Sequence, residues 1–403
     1  MRLRRRLARL LLLFLAVTVA GLPSATRGRT QPAGLVKIGT QSPLSGAQAP
    51  AGEAIMLGAR LAVEQLKGPV ERLGFRVELV PFDDQGKPAV GVANARIISA
   101  DPAIVGVVGH LNLGVTLPAS EIYREASLAM ISPANTNPLV TDRNYPNVSR
   151  VCGRDDAQGE AAALFAQQHL GVASAYLLHD GTPYGRAVAE AFRDKARALG
   201  IAIQGFEAVE ERADVGAIVA RLAERDPDLV YFGGIYAQAG GLFRAAREKG
   251  VRARLLGPDG MNSPALARLA GPAAVGVHYT LVVGPVGFYP EAAGFAEEYR
   301  TRFGKEPEPF AAQAYDATAI LLLAIATAIR EAGGARPDRA EVSRAVRKVT
   351  GYRGVTGTIG FDGQGDPLRA RYFVVRVVSD DPAAWGQNRV VAALEIPAPP
   401  LSR

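Results

Sequence analysis

The sequence predicts an α/β protein that is built from two doubly wound parallel-sheet lobes. Beyond about residue 34, short β-branched runs alternate with amphipathic helical segments. The predicted strands follow one another at about 25 to 30 residues, which is the spacing of βαβ units and implies parallel strands covered by helices on both faces. A chain of 403 residues also exceeds the usual size of one hydrophobic core, so about two domains are expected.

Two series of strands lie on either side of a break near residues 150–156, where the alternation lapses. A helix between the first two strands shows the pattern, because Ile55, Ala59 and Ala62 of the segment 53–66 fall on one face. The predicted strands of the first series are 36–38, 76–80, 104–108 and 129–131. Those of the second series are 175–179, 201–206, 229–232, 254–256 and 275–281.

The last part of the chain has too few strands for a third domain. It predicts helices at 292–303, 310–330 and 338–349, and then a hairpin of 356–361 with 371–378 around the turn 362–366. These elements are expected to complete the two lobes, which requires the chain to cross between them more than once. Multiple crossings make a hinge, and a cleft between hinged lobes is a common ligand site. The predicted boundaries are 34–153 plus 284–371 for lobe 1 and 154–283 plus 372–403 for lobe 2.

The net charge of +7 belongs to the start of the chain. Residues 1–29 contain seven arginines and no acidic residue, whereas 30–403 contain 39 basic and 39 acidic side chains, so no nucleic-acid partner is expected. The apolar run 10–20 is shorter than the roughly 20 residues that span a bilayer. Residues 1–28 are therefore interpreted as a secretory signal peptide. No cysteine follows its apolar run closely, so we expect a periplasmic protein that is not a lipoprotein.

Catalytic and cofactor motifs are not apparent in the sequence. It contains no GxSxG, GxxxxGK[ST] or GxGxxG motif, its one cysteine forms no internal disulfide, and its four histidines show no metal-binding spacing. No enzyme, cofactor or metal is expected. An exported α/β enzyme stays as an alternative, in which Asp259 or His179 is needed for rate rather than for affinity.

Polar and glycine-rich turns follow the predicted strands. In open α/β sheets, ligands bind at the carboxyl ends of the strands. These turns are therefore predicted to line both walls of the cleft: 39–46, 109–118, 132–138, 182–185, 233–236 and 257–260.

In these turns the chain resembles the leucine/isoleucine/valine-binding family of ABC-transporter solute-binding proteins. The resemblance covers about 35–378 and rests on VKIGTQSPLSG (36–46), VVGHLNLGVTLPASEIY (107–123), ISPANTNP (131–138), HDGTPYG (179–185), VYFGGIY (230–236), LLGPDG (255–260) and GTIGFDGQGD (357–366). It implies a type I periplasmic-binding-protein fold, two lobes joined by three hinge crossings. It also implies that the ligand is handed to the ABC permease subunits of the membrane.

The resemblance further implies a site for an amino-acid zwitterion. The carboxylate would meet the Leu113–Gly114 backbone and the Thr136 amide, and the ammonium would meet the Ala134 carbonyl, the Thr136 hydroxyl and Asp259. Such charge-assisted hydrogen bonds offset the lost hydration of a buried ion. The remaining implied contacts are Asn135, Tyr184, which closes over the ligand, and Phe310, which lines the side-chain pocket.

The sequence departs from the family pattern at several of these positions. Leu113 replaces a serine, and Ala51 stands where a tyrosine often lies. Ile235 replaces an aromatic residue for which Tyr236 compensates by a shift of one position. Asp259 is one methylene shorter than the usual glutamate, and Gln85 and Asn112 stand near the positions of a family disulfide. These changes predict a roomier and less polar pocket.

We therefore expect a monomeric protein that binds a hydrophobic amino acid, or a related small carboxylate or amide, and delivers it to a permease. The alternative within the same fold is a ligand sensor that acts on a receptor or regulator. The export signal fits both functions.

Overall fold

The computed structural model of the protein describes residues 34–46, 48–209 and 214–399. The predicted signal peptide, residues 1–28, lies outside the described residues. Two sheets organise the chain, and we call the parts built on them lobe 1 and lobe 2.

Lobe 1 contains a five-stranded parallel sheet with the strand order β2-β1-β3-β4-β5. β3 (IVGVVG) is buried along its whole length, as expected for a central parallel strand with helices on both faces. The strands are β1 Gly34–Ser42, β2 Phe75–Asp83, β3 Ile104–Gly109, β4 Ala129–Ser132 and β5 Val148–Arg150. The helices between them are α1 Ala49–Leu66, α2 Gly68–Glu71, α3 Pro88–Ala100, α4 Leu113–Glu125 and α5 Leu139–Asp142.

Lobe 2 contains a seven-stranded mixed sheet with the strand order β14-β13-β10-β9-β8-β6-β7. β13 runs antiparallel to both of its neighbours, β10 and β14. The strands are β6 Ser174–His179, β7 Ala202–Ala208, β8 Leu229–Gly233, β9 Arg254–Gly257, β10 His278–Leu281, β13 Arg369–Arg376 and β14 Arg389–Pro397. The helices are α6 Asp155–Gln168, α7 Pro183–Ala198, α8 Val215–Arg225, α9 Tyr236–Glu248 and α10 Pro264–Ala270.

The segment between β10 and β13 returns to lobe 1. It forms α11 Ala293–Phe303, α12 Ala311–Glu331, α13 Arg339–Arg347 and a hairpin of β11 Tyr352–Gly354 with β12 Gly357–Ile359. α12 packs between α1 and the lobe 1 sheet, where Ile320 and Leu321 join the core of β1 and β3. Residues 151–154, 282–292 and 360–368 connect the lobes, so the chain crosses between them three times.

Four features differ from the sequence-based expectation. The predicted hairpin of 356–361 with 371–378 does not form, because β13 pairs with β10 and β14 while 362–366 belongs to the third crossing. The strand predicted at 275–281 begins only at His278, after a 3₁₀ turn at Gly271–Ala274. The strands β5 and β11, of three residues each, and β14 escaped prediction. β13 begins at Arg369, three residues before the predicted lobe boundary at 372.

Candidate functional site

The loop after β4 forms the lobe 1 wall of the cleft. Ala134 and Asn135 are buried, and the Ser132 hydroxyl accepts a hydrogen bond from the Asn135 amide at 3.0 Å. The Asn135 side chain donates to the Thr116 hydroxyl at 2.8 Å, so it braces α4 and is already engaged inside the lobe. Thr136 follows at the surface of the cleft and is half-buried. The loop therefore presents backbone groups and one hydroxyl in a fixed arrangement.

Arg150 holds the loop after β4 in place, a role that the sequence analysis did not predict. Its fully buried guanidinium donates to the carbonyls of Asn135 at 3.1 Å and Asn137 at 2.8 Å. The same group pairs with the Asp366 carboxylate at 2.5 Å. An arginine at the end of a short strand carries no sequence signal of this role, because its partners lie far along the chain.

Asp259 forms the centre of the lobe 2 wall. It begins the 3₁₀ turn Asp259–Met261 after β9, and its carboxylate accepts hydrogen bonds from the Tyr184 hydroxyl at 2.5 Å and the Gln158 amide at 3.1 Å. The Gln158 carbonyl oxygen in turn accepts from the Thr280 hydroxyl at 3.0 Å. Burial raises the pKa of Asp259, although the hydrogen bonds from Tyr184 and Gln158 oppose this shift.

A second acid, Asp155, lies beside Asp259. Its backbone amide donates to the Thr136 carbonyl at 2.9 Å, which ties the first turn of α6 to the lobe 1 loop. Gln158 also donates to the Asp155 carboxylate at 3.3 Å. Burial and the charge of Asp259 raise the pKa of Asp155 to about 6. The sequence analysis included Asp155 only in the break between the lobes and did not predict it as a site residue. The one sequence signal for such a role was its position at the start of a helix that follows a crossing.

A cavity of about 640 Å³ lies between the two walls. Of the predicted site residues, Ala134, Thr136, Asp259 and Phe310 line it. Asp259 is the only charged side chain among the lining residues in the described part of the chain, and most of the others are apolar. The cavity thus combines one anionic group with a mostly apolar lining that also contains Thr136, Asn262 and Asn388, an arrangement that suits an ammonium group attached to a hydrophobic body.

The other predicted residues lie around this cavity without lining it. Ala51 lines a neighbouring cavity of about 510 Å³ that shares Phe310. Tyr184 reaches the site through Asp259, while Ile235 is 39% exposed and lies against Gly260.

Two further groups of predicted residues, Leu113 with Gly114 and Tyr236, lie away from the main cavity. The Leu113 side chain packs beside the lobe 1 core, and Gly114 is exposed in the first turn of α4. Tyr236 packs against the lobe 2 core at the start of α9, so it does not replace the missing aromatic wall at the main cavity. Neither Leu113 nor Gly114 lines the main cavity, and the polar groups available at these two positions are backbone groups.

Comparison with known proteins agrees with this architecture. A family profile described as periplasmic binding protein matches residues 35–382. The Leu/Ile/Val-binding protein homolog 1 of Brucella suis is 32% identical over 342 residues, which cover 85% of this chain and 90% of the relative. The leucine-, isoleucine-, valine-, threonine-, and alanine-binding protein of Pseudomonas aeruginosa is 31% identical over 361 residues, covering 89% of this chain and 93% of the relative.

A solved structure shows the same fold. The crystal structure of a leucine binding protein from Thermotoga maritima matches with a TM-score of 0.66 at 28% identity, covering 89% of this chain and 98% of that chain. The predicted fold class and family are thereby confirmed. The chain belongs to the periplasmic binding protein family, the solute-binding proteins of two hinged lobes.

Proposed function

We propose that this protein is the extracytoplasmic substrate-binding subunit of an ABC importer and that it binds a hydrophobic amino acid, or a related small carboxylate or amide. The observation that carries the proposal is that Asp259 is the only charged side chain among the described residues that line a mostly apolar cavity, which Thr136 also lines from lobe 1. The names of the relatives, which bind leucine, isoleucine and valine, support the same ligand class.

In this proposal the ligand ammonium pairs with the Asp259 carboxylate, which Tyr184 and Gln158 hold in place. The neighbouring carboxyl of Asp155 adds negative potential at the same point. The ligand carboxylate meets backbone amides at Thr136 and at the start of α4, where helical N–H groups lack intrahelical partners. The apolar lining receives the side chain.

A ligand screen tests the binding function. At a hundredfold excess over Kd, a bound ligand stabilises the folded protein by about 2.7 kcal/mol, so the true ligand raises the melting temperature. If no amino acid or small organic acid raises it, the assignment of the ligand class is wrong.

The Asp259→Asn variant tests the proposed ammonium contact. It keeps the shape of the side chain and removes its charge, and we expect a loss in affinity for an amino acid of tenfold or more, since a hydrogen bond to a charged group is worth about 1.5–3 kcal/mol. The matched control is Asp226→Asn, the same change at an exposed carboxylate. Equal affinities of the two variants would show that Asp259 contacts no ammonium.

Delivery to a permease is a separate part of the proposal. The family supports a periplasmic location, which agrees with the predicted signal peptide at 1–28. In this proposal the protein acts there as a monomer. Deletion of the gene in its source organism is expected to abolish uptake of the ligand found in the screen. Normal uptake with a lost cellular response to the ligand would identify a sensor instead.

A further inference from the structure

The carboxyl-terminal part of lobe 2 also contributes to the lining of the cavity. We call this part of the cavity its far end, and the residues that line it are Tyr279 of β10, Val375 of β13, Val390 of β14 and Trp385. Trp385 belongs to the 3₁₀ segment Pro382–Gln387, which connects β13 to β14 and packs against α10. The far end is therefore built by one edge of the lobe 2 sheet and the connection that follows it.

Two aromatic rings at this end form a fixed pair. Tyr279 and Trp385 stack with their ring centroids 6.0 Å apart and an angle of 5° between the ring planes. The Tyr279 hydroxyl and the Trp385 indole N–H both donate to the Asn262 side-chain oxygen, each at 3.1 Å. Tyr279 is only 2% exposed, whereas Trp385 is half-buried, and the polar groups of both rings are satisfied by the protein. What this end of the cavity offers a ligand is therefore the aromatic surface of Trp385, which Tyr279 holds in place.

Two further rings approach from the lobe 1 side. Phe288, in the second crossing, lines the cavity and is still 45% exposed although it touches Phe373. Phe310 lines it with a backbone φ of 75°, a left-handed conformation that is unusual for a bulky residue and is often found at functional positions. Phenylalanine, tyrosine and tryptophan rings thus face the cavity from both lobes.

The cleft between the lobes is also large enough for an aromatic side chain. A cavity of about 150 Å³ is enough to hold benzene, and the cleft of about 640 Å³, which is open to solvent, admits an amino-acid head together with a ring. Aromatic surface that remains exposed inside a ligand cavity gains most from an aromatic partner.

We propose that the far end of the cavity is an aryl subsite, in which Trp385 and Phe288 receive an aromatic ring, so that the protein prefers aromatic over branched-chain amino acids. This inference rests on the proposed amino-acid function and refines its ligand class. The match to the family profile ends at residue 382, so Trp385 and Val390 lie outside the matched segment, whereas Tyr279, Val375 and Phe288 lie inside it.

The sequence supplies a direct probe, because Trp385 is the only tryptophan in the chain. Titration of the full-length mature protein with L-phenylalanine, which does not emit in the tryptophan range, is expected to shift or quench the emission of Trp385. L-leucine is expected to bind at least tenfold more weakly in calorimetry and to leave the emission nearly unchanged.

Substitutions separate the subsite from the rest of the pocket. Trp385→Ala is expected to weaken L-phenylalanine at least tenfold while changing L-leucine affinity by less than twofold, and Trp385→Phe is expected to restore most of the loss. The control is Leu323→Ala, which truncates an exposed apolar side chain on α12 away from the cavity. Circular dichroism of each variant checks that it is folded, and the wild-type titration does not depend on any variant.

The two levels of the proposal fail in different ways. If L-leucine binds as tightly as L-phenylalanine and neither changes the emission of Trp385, the aryl subsite is wrong while the amino-acid function stands. If neither amino acid binds, the proposed function fails and the subsite fails with it.

Discussion

Asp155 and Asp259 meet at a single glutamine, Gln158, which donates to both carboxylates. Two buried acids that share a donor repel each other when both are charged, and burial adds to this cost. A ligand ammonium between them relieves both effects. The pair therefore gives the proposed site a preference for cationic head groups that Asp259 alone would not provide.

The pKa of Asp155, raised by burial and by Asp259 to about 6, predicts a stability effect in the unliganded protein. Between about pH 4 and pH 6 the folded protein holds a proton on Asp155 that the unfolded chain has lost, so this carboxyl's contribution to the free energy of unfolding decreases as pH rises through that window. We expect Asp155→Asn to gain stability relative to wild type from pH 4 to pH 7, by at most about 3 kcal/mol.

Urea denaturation across this pH range measures the difference in unfolding free energy between the two proteins. Asp226→Asn, at an exposed position, is the control and should give a nearly constant difference. A constant difference for Asp155→Asn as well would show that Asp155 titrates normally.

At the scale of elements, α12 shows why hydropathy alone does not reveal location. Among the described residues it is the only helix that is long and apolar enough to cross a membrane, yet 89% of its most apolar window is buried inside the protein. It packs on α1 at one side and on the sheet at the other. Its apolar character therefore reflects a core position, and its first turn follows Phe310 at the cavity.

The contact between α1 and α12 depends on Gly58. A Cβ atom at this position would lie 2.1 Å from the Ala311 carbonyl oxygen, which is backbone and does not yield easily. We expect Gly58→Ala to lower the free energy of unfolding by about 1–3 kcal/mol through overpacking, and to weaken ligand binding by displacing Phe310.

The matched control is Gly241→Ala in α9, where a Cβ meets nothing within 4 Å. That change should stabilise the protein by about 0.5–1 kcal/mol, because alanine is the better helix former. Denaturant unfolding of both variants gives the comparison. Effects of the same sign and size would contradict the close packing of the two helices.

At the scale of the molecule, a buried ion network joins two of the three crossings. Arg150 at the end of β5 and Arg154 in the first crossing both bind Asp366 in the third, at 2.5 and 2.7 Å. The Tyr372 hydroxyl accepts from the Arg154 amide at 2.8 Å and so attaches β13 to the same point. Through Arg150, the network also holds the loop 132–138, which forms the lobe 1 wall of the cleft. The crossings and this wall are therefore stabilised by the same arginine.

Asp366→Asn should be strongly destabilising, because it leaves the fully buried Arg150 without a counter-ion, whereas Arg154 keeps its pairs with Asp142 and Asp156. We expect a loss of about 3–5 kcal/mol in the free energy of unfolding, typical of breaking a buried pair. Glu64→Gln, which breaks the exposed pair with Arg302 at 2.7 Å, is the control and should cost less than about 1 kcal/mol. If the two variants lose similar amounts of unfolding free energy in thermal or urea denaturation, the buried network at the crossings stabilises the protein no more than an exposed ion pair does.

Much of this protein was determined by the sequence alone, because hydrophobic periodicity and turn chemistry are local. The alternating pattern determined the α/β class and two lobes, and the turns after the strands placed Asp259 and the loop 132–138 at the ligand edge of the sheets. The roles of the predicted contact residues stay a proposal.

Only the tertiary structure decided which distant segments meet. Gln158 and Asp259 are separated by 101 positions, and Arg150 and Asp366 by 216, so no local pattern signals either contact. The pairing of β13 with β10 was likewise decided by the sheet edge that lobe 2 leaves open and not by the nearest turn. The far wall of the cavity follows from this pairing, since β13, β14 and the connection between them bring Trp385 to Tyr279.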